Sequence, residues 1–417
     1  MSDPVVIIGA SHAAAQMCAS LRQLGWEGGI ALVSDEPHLP YHRPPLSKAF
    51  MSGEQGLEDI WIRPPEAYEQ MDVALHLGQR AEAIDRANRR VRLGGGEELT
   101  YGKLVLATGA RVRRLPLPGA EHPGVLYLRD QADALAIQDR VAAGAMRVVV
   151  VGGGYIGLEV AASLRKAGLE VVVIEAMERI LQRVTAPAMS AFYRRVHTEE
   201  GVRIVEGAVV TGIAASPEGL EVVTDTAGSF GADMVVVGIG VIPNTELAEA
   251  AGLAVGNRAR GESGIRVDAH ARTSDPDIYA IGDVAWHYSP VYDRHMRVKS
   301  VPNATEMAKT AAAHICKGDA AKDYSALPWF WSDQFDLKLQ IAGLSEGATE
   351  RVVRGRLEAG RQVAMFHFDG ERLLAVDAVN DPRSFMFAKM MIPKRVRLDK
   401  AKLADPGIDL KACIAEP

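Results

Sequence analysis

The residues best placed to do chemistry are three glycines and one acid in the middle of the chain. Gly152, Gly154 and Gly157 satisfy G-x-G-x-x-G, directly between an apolar run, Val148–Val151, and a helix-forming segment, Leu158–Ala167. The three glycines serve different ends. Gly152 allows a tight turn, Gly154 admits a pyrophosphate close to the backbone, and Gly157 lets helix and strand pack closely. The free N–H groups and dipole of the helix start favour the negative charge. Tyr155 and Ile156 complete the turn, and Glu175 closes the next apolar run, Val171–Ile174. A carboxylate there accepts hydrogen bonds from an adenosine ribose and repels a 2′-phosphate, so the spacing favours NADH over NADPH.

A second, degenerate copy opens the chain. Val5–Ile8 reads as a buried strand, Gly9-Ala10-Ser11-His12-Ala13-Ala14 as the turn, and His12–Leu24 as the helix. Ile30–Val33 is the next strand and Asp35 the acid beyond it. Ser11 and Ala14 stand where the second and third glycines belong; both are small enough to permit close approach. His12 either touches phosphate or stands in solvent. Two copies about 140 residues apart indicate two nucleotide-binding domains rather than a short-period solenoid.

Three more apolar runs open into glycine-containing loops: Leu104 to Gly109 through Ala107, Gly238 to Asn244 through Gly240, and Thr273 to Asp283 through Gly282. In open α/β sheets, ligands bind beyond the carboxyl ends of strands, where such loops fall. Asp283 can hydrogen-bond a polyol such as a ribityl chain. Beyond residue 320 the pattern changes to Leu337–Gly343, Gln362–Phe368 and Leu373–Val379. The last two flank Asp369-Gly370, a type I′ hairpin signal, which predicts a third, antiparallel α+β domain.

The elements that must position these residues belong to an ordinary globular chain. Its 417 residues, 48% hydrophobic and 24% charged, fit two or three domains and exclude a disordered or collagen-like chain. No run reaches the roughly 18 apolar residues of a membrane helix, and the N-terminus has no signal-like core. A net charge of −6 argues against a general grip on nucleic acid. The three cysteines, Cys18, Cys316 and Cys413, are scattered and fit a reducing cytoplasm rather than a disulfide scaffold or a metal site.

Five segments together resemble a known family. They are Tyr41-His42-Arg43-Pro44-Pro45-Leu46-Ser47-Lys48, Gly152 to Glu159, Thr273 to Asp283, Ser300-Val301-Pro302-Asn303-Ala304 and Pro328-Trp329-Phe330-Trp331-Ser332-Asp333. On these the chain resembles two-dinucleotide-binding flavoproteins of the pyridine nucleotide–disulfide oxidoreductase superfamily, in its ferredoxin reductase branch. The resemblance spans essentially the whole chain and departs at Gly9 to Ala14. It implies two Rossmann-like dinucleotide-binding domains, glutathione-reductase-like, and a C-terminal α+β domain. It further implies a split FAD domain (1–115 and 245–320), an NADH domain (116–244) and a C-terminal domain (321–417) covering the flavin. FAD, held non-covalently, is expected at Gly9, Ser11, His12, Ala13, Asp35, Arg43, Lys48, Ala81, Ala107, Gly109, Arg129, Gly282, Asp283 and Val301. NADH is expected at Gly152, Gly154, Tyr155, Ile156, Gly157, Glu159, Glu175 and Gly240.

The disulfide reductases of that superfamily keep a redox cysteine pair near the first strand–helix–strand unit. Here Tyr41 to Phe50 contains no cysteine, and Cys18 lies in an apolar helix as a small buried hydrophobe. Disulfide-reductase chemistry and cysteine-sulfenate peroxidase chemistry are therefore excluded. Electrons arriving from NADH must leave to oxygen or singly to a metal protein. Lys48 is the expected cation beside flavin N5, with Glu159 as its ion-pair partner. By the resemblance, Trp331 lies near the isoalloxazine at a ferredoxin docking surface, whereas Trp329 reads equally as interdomain core. Lys389, Lys394, Arg395, Arg397, Lys400 and Lys402, broken by Asp399, form either a steering patch for an acidic ferredoxin or a solvated charged face.

The resulting expectation is a cytoplasmic, NADH-dependent reductase that supplies a [2Fe–2S] ferredoxin feeding a cytochrome P450 or a ring-hydroxylating oxygenase. It has no nucleic-acid, membrane or metal site of its own and is a monomer or weak homodimer. A rubredoxin reductase and an apoptosis-inducing-factor-like flavoprotein are the alternatives.

Overall fold

The computed structural model describes residues 4–415 and divides them into two compact units. Among the described residues the first comprises 4–42, 57–111 and 242–328; the second comprises 43–56, 112–241 and 329–415. Among the described residues no helix is long and apolar enough to cross a membrane.

In the first unit, Val5–Ile8 is the central strand of a five-stranded sheet. It pairs in parallel with Ile30–Val33 on one side and Lys103–Leu106 on the other. Strands Val73–His76 and Ile278–Ala280 close the two edges. All four residues of Val5–Ile8 are buried, as expected of a parallel strand covered on both faces. Helix His12–Gln23 packs on helix Val301–Lys317, and small residues such as Ala14, Ala304, Ala308 and Ala311 permit the close approach. Cys18 is fully buried in that core, and burial pushes its thiol pKa up to about 12. It is the inert hydrophobe the sequence indicates.

The second unit repeats the arrangement. Arg147–Val151 pairs in parallel with Glu170–Glu175 and Met234–Val237, and Arg203–Glu206 and Val125–Tyr127 complete the sheet. The intervening helix runs from Tyr155 to Lys166, so it begins three residues earlier than the apolar periodicity suggests. Glycine depresses helix propensity but is tolerated at Gly157 because the helix packs there on its strand.

The same unit carries a five-stranded antiparallel sheet in the order Trp329–Gln334, Leu337–Gly343, Arg372–Val379, Val363–Asp369, Glu350–Gly355. Helix Pro382–Lys394 packs on it. The hairpin at Asp369 forms, but one residue later than the sequence indicates. Asp369 pairs with Arg372, so Gly370 and Glu371 are the central pair, and only Gly370 has positive φ (54°). A type I′ turn needs positive φ at both centres; glycine first with an ordinary second residue is the requirement of type II′.

Candidate dinucleotide and redox site

Two close backbone approaches define the second glycine turn. A Cβ on Gly152, whose φ is 109°, would stand 2.6 Å from the Gly238 carbonyl oxygen. One on Gly157 would stand 2.1 Å from the Gly152 carbonyl oxygen, so neither position accepts a side chain. Gly154 differs: a Cβ there meets nothing within 4 Å. It is the helix N-cap and supplies no side-chain cap to the first N–H groups of Tyr155–Lys166. Gly240, at φ 101°, is equally open. Glu175 Oε2 accepts from the Gly153 N–H at 2.7 Å, and Oε1 accepts from the Met177 N–H at 2.8 Å. These observations fit a dinucleotide diphosphate at the helix start with an acid fixed beside it.

The first unit holds the degenerate turn in a similar shape. Gly9 has φ 106°, and a Cβ there would lie 2.2 Å from the Ala107 carbonyl oxygen. Small residues do the remaining packing: a Cβ on Gly282 would sit 3.4 Å from Ala13 Cβ and 3.5 Å from Ala304 Cβ. Helix His12–Gln23 starts without a side-chain cap at Ser11, whose Oγ is 3.4 Å from His12 Nδ1. His12 is buried rather than solvated, and its Nε2 lies 3.2 Å from His42 Nδ1. Asp35 stands exposed past the second strand. Gly109 has φ 62°, and Thr108 beside it exchanges hydrogen bonds with Asn244 at 2.9 and 2.8 Å. Arg297, which sequence reasoning missed, donates to the Asp283 carbonyl at 3.0 Å and to Ser263 Oγ at 3.1 Å. Val301 opens helix Val301–Lys317, capped by Ser300 accepting from the Asn303 N–H at 3.3 Å. Ala81 begins the strand Ala81–Asp85. A capless helix start framed by Gly9, Ala13 and Gly282 fits the diphosphate of a second dinucleotide.

The second unit gathers the charged pair. Lys48 Nζ lies 2.7 Å from Glu159 Oε2, with the lysine side chain 20% and the glutamate side chain 7% exposed. Lys48 also donates to the Pro44 carbonyl and to Ser47 Oγ, each at 3.2 Å. Ser47 Oγ donates to Glu159 Oε2 at 2.6 Å, and Ser332 Oγ donates to Glu159 Oε1 at 2.6 Å. Arg43 donates to the Arg129 carbonyl at 2.7 Å, so two further expected contacts meet. Sequence reasoning missed Ser47, Ser332, Gln334 and His197; polar residues inside strands and helices carry no spacing signal of their own.

The strand Trp329–Gln334 alternates between two surroundings. Phe330 packs on Tyr155, with ring centroids 4.8 Å apart, and Ser332 reaches Glu159. Trp329, Trp331 and Asp333 take the other face and line a cleft of about 480 Å³ with Lys338 and Gln340. Trp331 is therefore not brought together with Glu159; strand pleat sends it the opposite way. The rings of Trp329 and Trp331 are 5.6 Å apart, and Lys389 Nζ lies 4.4 Å above Trp329. The basic run is not one continuous patch. Lys400 pairs with Glu350 at 2.6 Å and Glu371 at 3.6 Å, Arg397 with Glu371 at 3.3 Å, and Lys402 with Asp399 at 3.7 Å. Among the described residues no cluster suited to a metal ion occurs.

Two glycine turns on two parallel sheets, with an added antiparallel sheet, define a protein built on paired dinucleotide-binding folds. Comparison with known proteins places it more closely. Residues 3–308 match the family model of pyridine nucleotide-disulphide oxidoreductases, and residues 329–414 match the reductase C-terminal model. The chain is 43% identical to putidaredoxin reductase CamA of Pseudomonas putida over 99% of this chain and 97% of that protein. It is 42% identical to rhodocoxin reductase of Rhodococcus erythropolis, covering 99% and 94%. The crystal structure of the covalent putidaredoxin reductase–putidaredoxin complex superposes with a TM-score of 0.93 at 43% identity, covering 99% of each chain. The chain belongs to the pyridine nucleotide-disulphide oxidoreductase family, whose members work with FAD and NAD(H).

Proposed function

We propose that this oxidoreductase takes hydride from NADH and passes electrons singly to a [2Fe–2S] ferredoxin, which feeds a cytochrome P450 or a ring-hydroxylating oxygenase. The observation that carries this reading is the 2.7 Å Lys48–Glu159 pair, whose lysine lies on a segment, Tyr41 to Phe50, that contains no cysteine. Its relatives include reductases named for their redox partners, putidaredoxin and rhodocoxin. Bound FAD supplies the conversion of a two-electron donor into single electrons.

The protein's own residues bind, orient and compensate charge. Gly9, Ser11, His12, Ala13, Asp35, Arg43, Ala81, Ala107, Gly109, Arg129, Gly282, Asp283 and Val301 hold FAD. Gly152, Gly154, Ile156, Gly157, Glu175 and Gly240 hold NADH, with Glu175 on the adenosine ribose. Lys48 supplies positive charge beside the flavin, and Glu159 holds that cation in place. The Trp329–Trp331 cleft is the face offered to the ferredoxin. The FAD halves are 1–115 and 245–320, the NADH domain 116–244 and the C-terminal domain 321–417. The enzyme works in the cytoplasm as a monomer or weak dimer.

NADH-dependent cytochrome c reduction with and without a purified [2Fe–2S] ferredoxin tests the reading. Strong stimulation is the expected result. Turnover with rubredoxin but none with ferredoxin would overturn it.

A further inference from the structure

Glu159 is held from two directions. Its Oε2 meets Ser47 and Lys48, which precede it by more than a hundred positions; its Oε1 meets Ser332, on the edge strand of the C-terminal sheet. The second arm does not end at Ser332. Gln334 Nε2 donates to Ser332 Oγ at 3.0 Å, and Gln334 Oε1 lies 2.8 Å from His197 Nε2. Ser332 and His197 are fully buried, and Gln334 is 1% exposed.

The donor directions along this row are fixed by the groups themselves. An amide oxygen only accepts, so His197 Nε2 carries the proton and donates to Gln334. The Gln334 amide nitrogen donates to Ser332, whose single hydroxyl proton then points at Glu159. Burial lowers the His197 pKa to about 4, which keeps the ring neutral, and the Gln334 acceptor selects the tautomer with the proton on Nε2. His197 Nδ1 is buried without a partner, so the ring gains nothing by flipping. The row His197, Gln334, Ser332, Glu159 is therefore one-way, with every donor directed towards the carboxylate.

A carboxylate with donors at both oxygens has its plane and its twist fixed. Were Ser332 Oγ absent, Oε1 would lose its donor and Gln334 Nε2 its acceptor in a place water does not reach. The carboxylate would then turn about its Oε2 contacts, and the Lys48 ammonium that follows it would move.

We propose that Ser332 and Gln334 are positioning residues for the Lys48–Glu159 pair, so that the strand carrying Trp329 and Trp331 also sets the cation used in NADH oxidation. The inference rests on the reading that Lys48 serves the flavin. It makes the C-terminal domain part of the reductive half of the cycle and not only of partner recognition.

The test is stopped-flow flavin reduction by NADH in the FAD-loaded protein, comparing wild type, Lys48→Ala, Ser332→Ala, Gln334→Met, Glu159→Gln and the Ser332→Ala/Glu159→Gln double variant. Loss of one buried hydrogen bond to a charged group predicts an approximately tenfold slower limiting rate in Ser332→Ala, with the NADH dissociation constant changed by less than about twofold. Gln334→Met should show a smaller loss in the same parameter. If Ser332 acts through Glu159, its substitution costs nothing further in the Glu159→Gln background. Additive losses in the double variant, or a wild-type limiting rate in Ser332→Ala while Lys48→Ala is slow, overturn the inference. A wild-type rate in Lys48→Ala overturns the reading beneath it instead.

Discussion

Glu175 Oε2 accepts a 2.7 Å hydrogen bond from the backbone N–H of Gly153, so the acid that ends one strand is tied to the glycine turn that ends its neighbour. The carboxylate is preorganised before any ribose arrives, and each oxygen retains a lone pair. Replacing Glu175 by Ala removes both the turn contact and the proposed ribose acceptor. We expect kcat/KM for NADH to fall about tenfold and the NADH-to-NADPH ratio to fall further, because the repulsion of a 2′-phosphate also disappears. Steady-state kinetics with both nucleotides measure this; an unchanged ratio would remove Glu175 from cofactor selection.

Lys48→Ala should lower the rate of flavin reduction by NADH by about tenfold to a hundredfold, the usual range for losing one preorganised electrostatic contact. Glu159 would then be left in a buried setting with only hydroxyl donors, so some loss of melting temperature is expected as well. Stopped-flow bleaching of the flavin and a thermal scan separate the two effects.

The three thiols should divide sharply by burial. Cys18 and Cys413 are fully buried and Cys316 is half-buried; burial raises all three thiol pKa values. In native protein at pH 8, a chromogenic disulfide reagent should label Cys316 slowly and leave the other two untouched until denaturant is added. Rapid native labelling of Cys18, located by peptide mapping, would contradict the packing of the first helix.

His287 is buried, and desolvation lowers its pKa to about 4. A group with a depressed pKa contributes its stability above the unfolded value, near 6.5, and loses it as pH falls towards the folded value. Between those limits the unfolded chain binds a proton that the folded chain does not, costing at most about 1.4 kcal/mol per pH unit. His287→Gln should therefore flatten the decline of unfolding free energy between pH 6.5 and 4, measured by urea titration. Parallel curves for variant and wild type would show that His287 is not the group responsible.

Charge steering should not depend on the whole basic run. Lys400 and Arg397 already face Glu350 and Glu371, so their fields are largely cancelled at partner distance. Arg397→Ala and Lys400→Ala should each change the ferredoxin KM by less than about twofold at any ionic strength. A several-fold rise confined to low salt would restore them as steering residues.

What the sequence revealed and what it concealed follow from locality. The glycine turns were legible because their spacing falls within one strand–turn–helix unit, although only Gly157 is crowded by that unit itself, at Gly152; Gly9 and Gly152 are crowded by Ala107 and Gly238 of other strands. The strand limits Val5–Ile8 and Ile30–Val33 follow from continuous apolar runs, and those of Leu337–Gly343 from apolar residues alternating with Lys338 and Gln340. The partnership of Lys48 with Glu159 rested on resemblance, because no local pattern joins residues so far apart. Ser332, Gln334 and His197 were invisible for the same reason, each looking like an ordinary residue of its own element. The hairpin was legible from Asp369-Gly370, but its turn type depends on which residues pair, a register that tertiary packing settles. The acids that neutralise Arg397 and Lys400 come from other strands, so a linear charge count overstated the patch.

The two-residue period of Trp329–Gln334 also constrains how such a protein can diverge. On the proposed docking face, odd positions can be exchanged to suit a new partner while even positions keep their grip on Tyr155 and Glu159. A single-residue insertion or deletion in this strand would swap the two sets at once, exposing Ser332 and burying a tryptophan against the carboxylate. New partner specificity is therefore open to substitution and closed to length change here, and a library randomised at 329, 331 and 333 alone is the economical place to look for it.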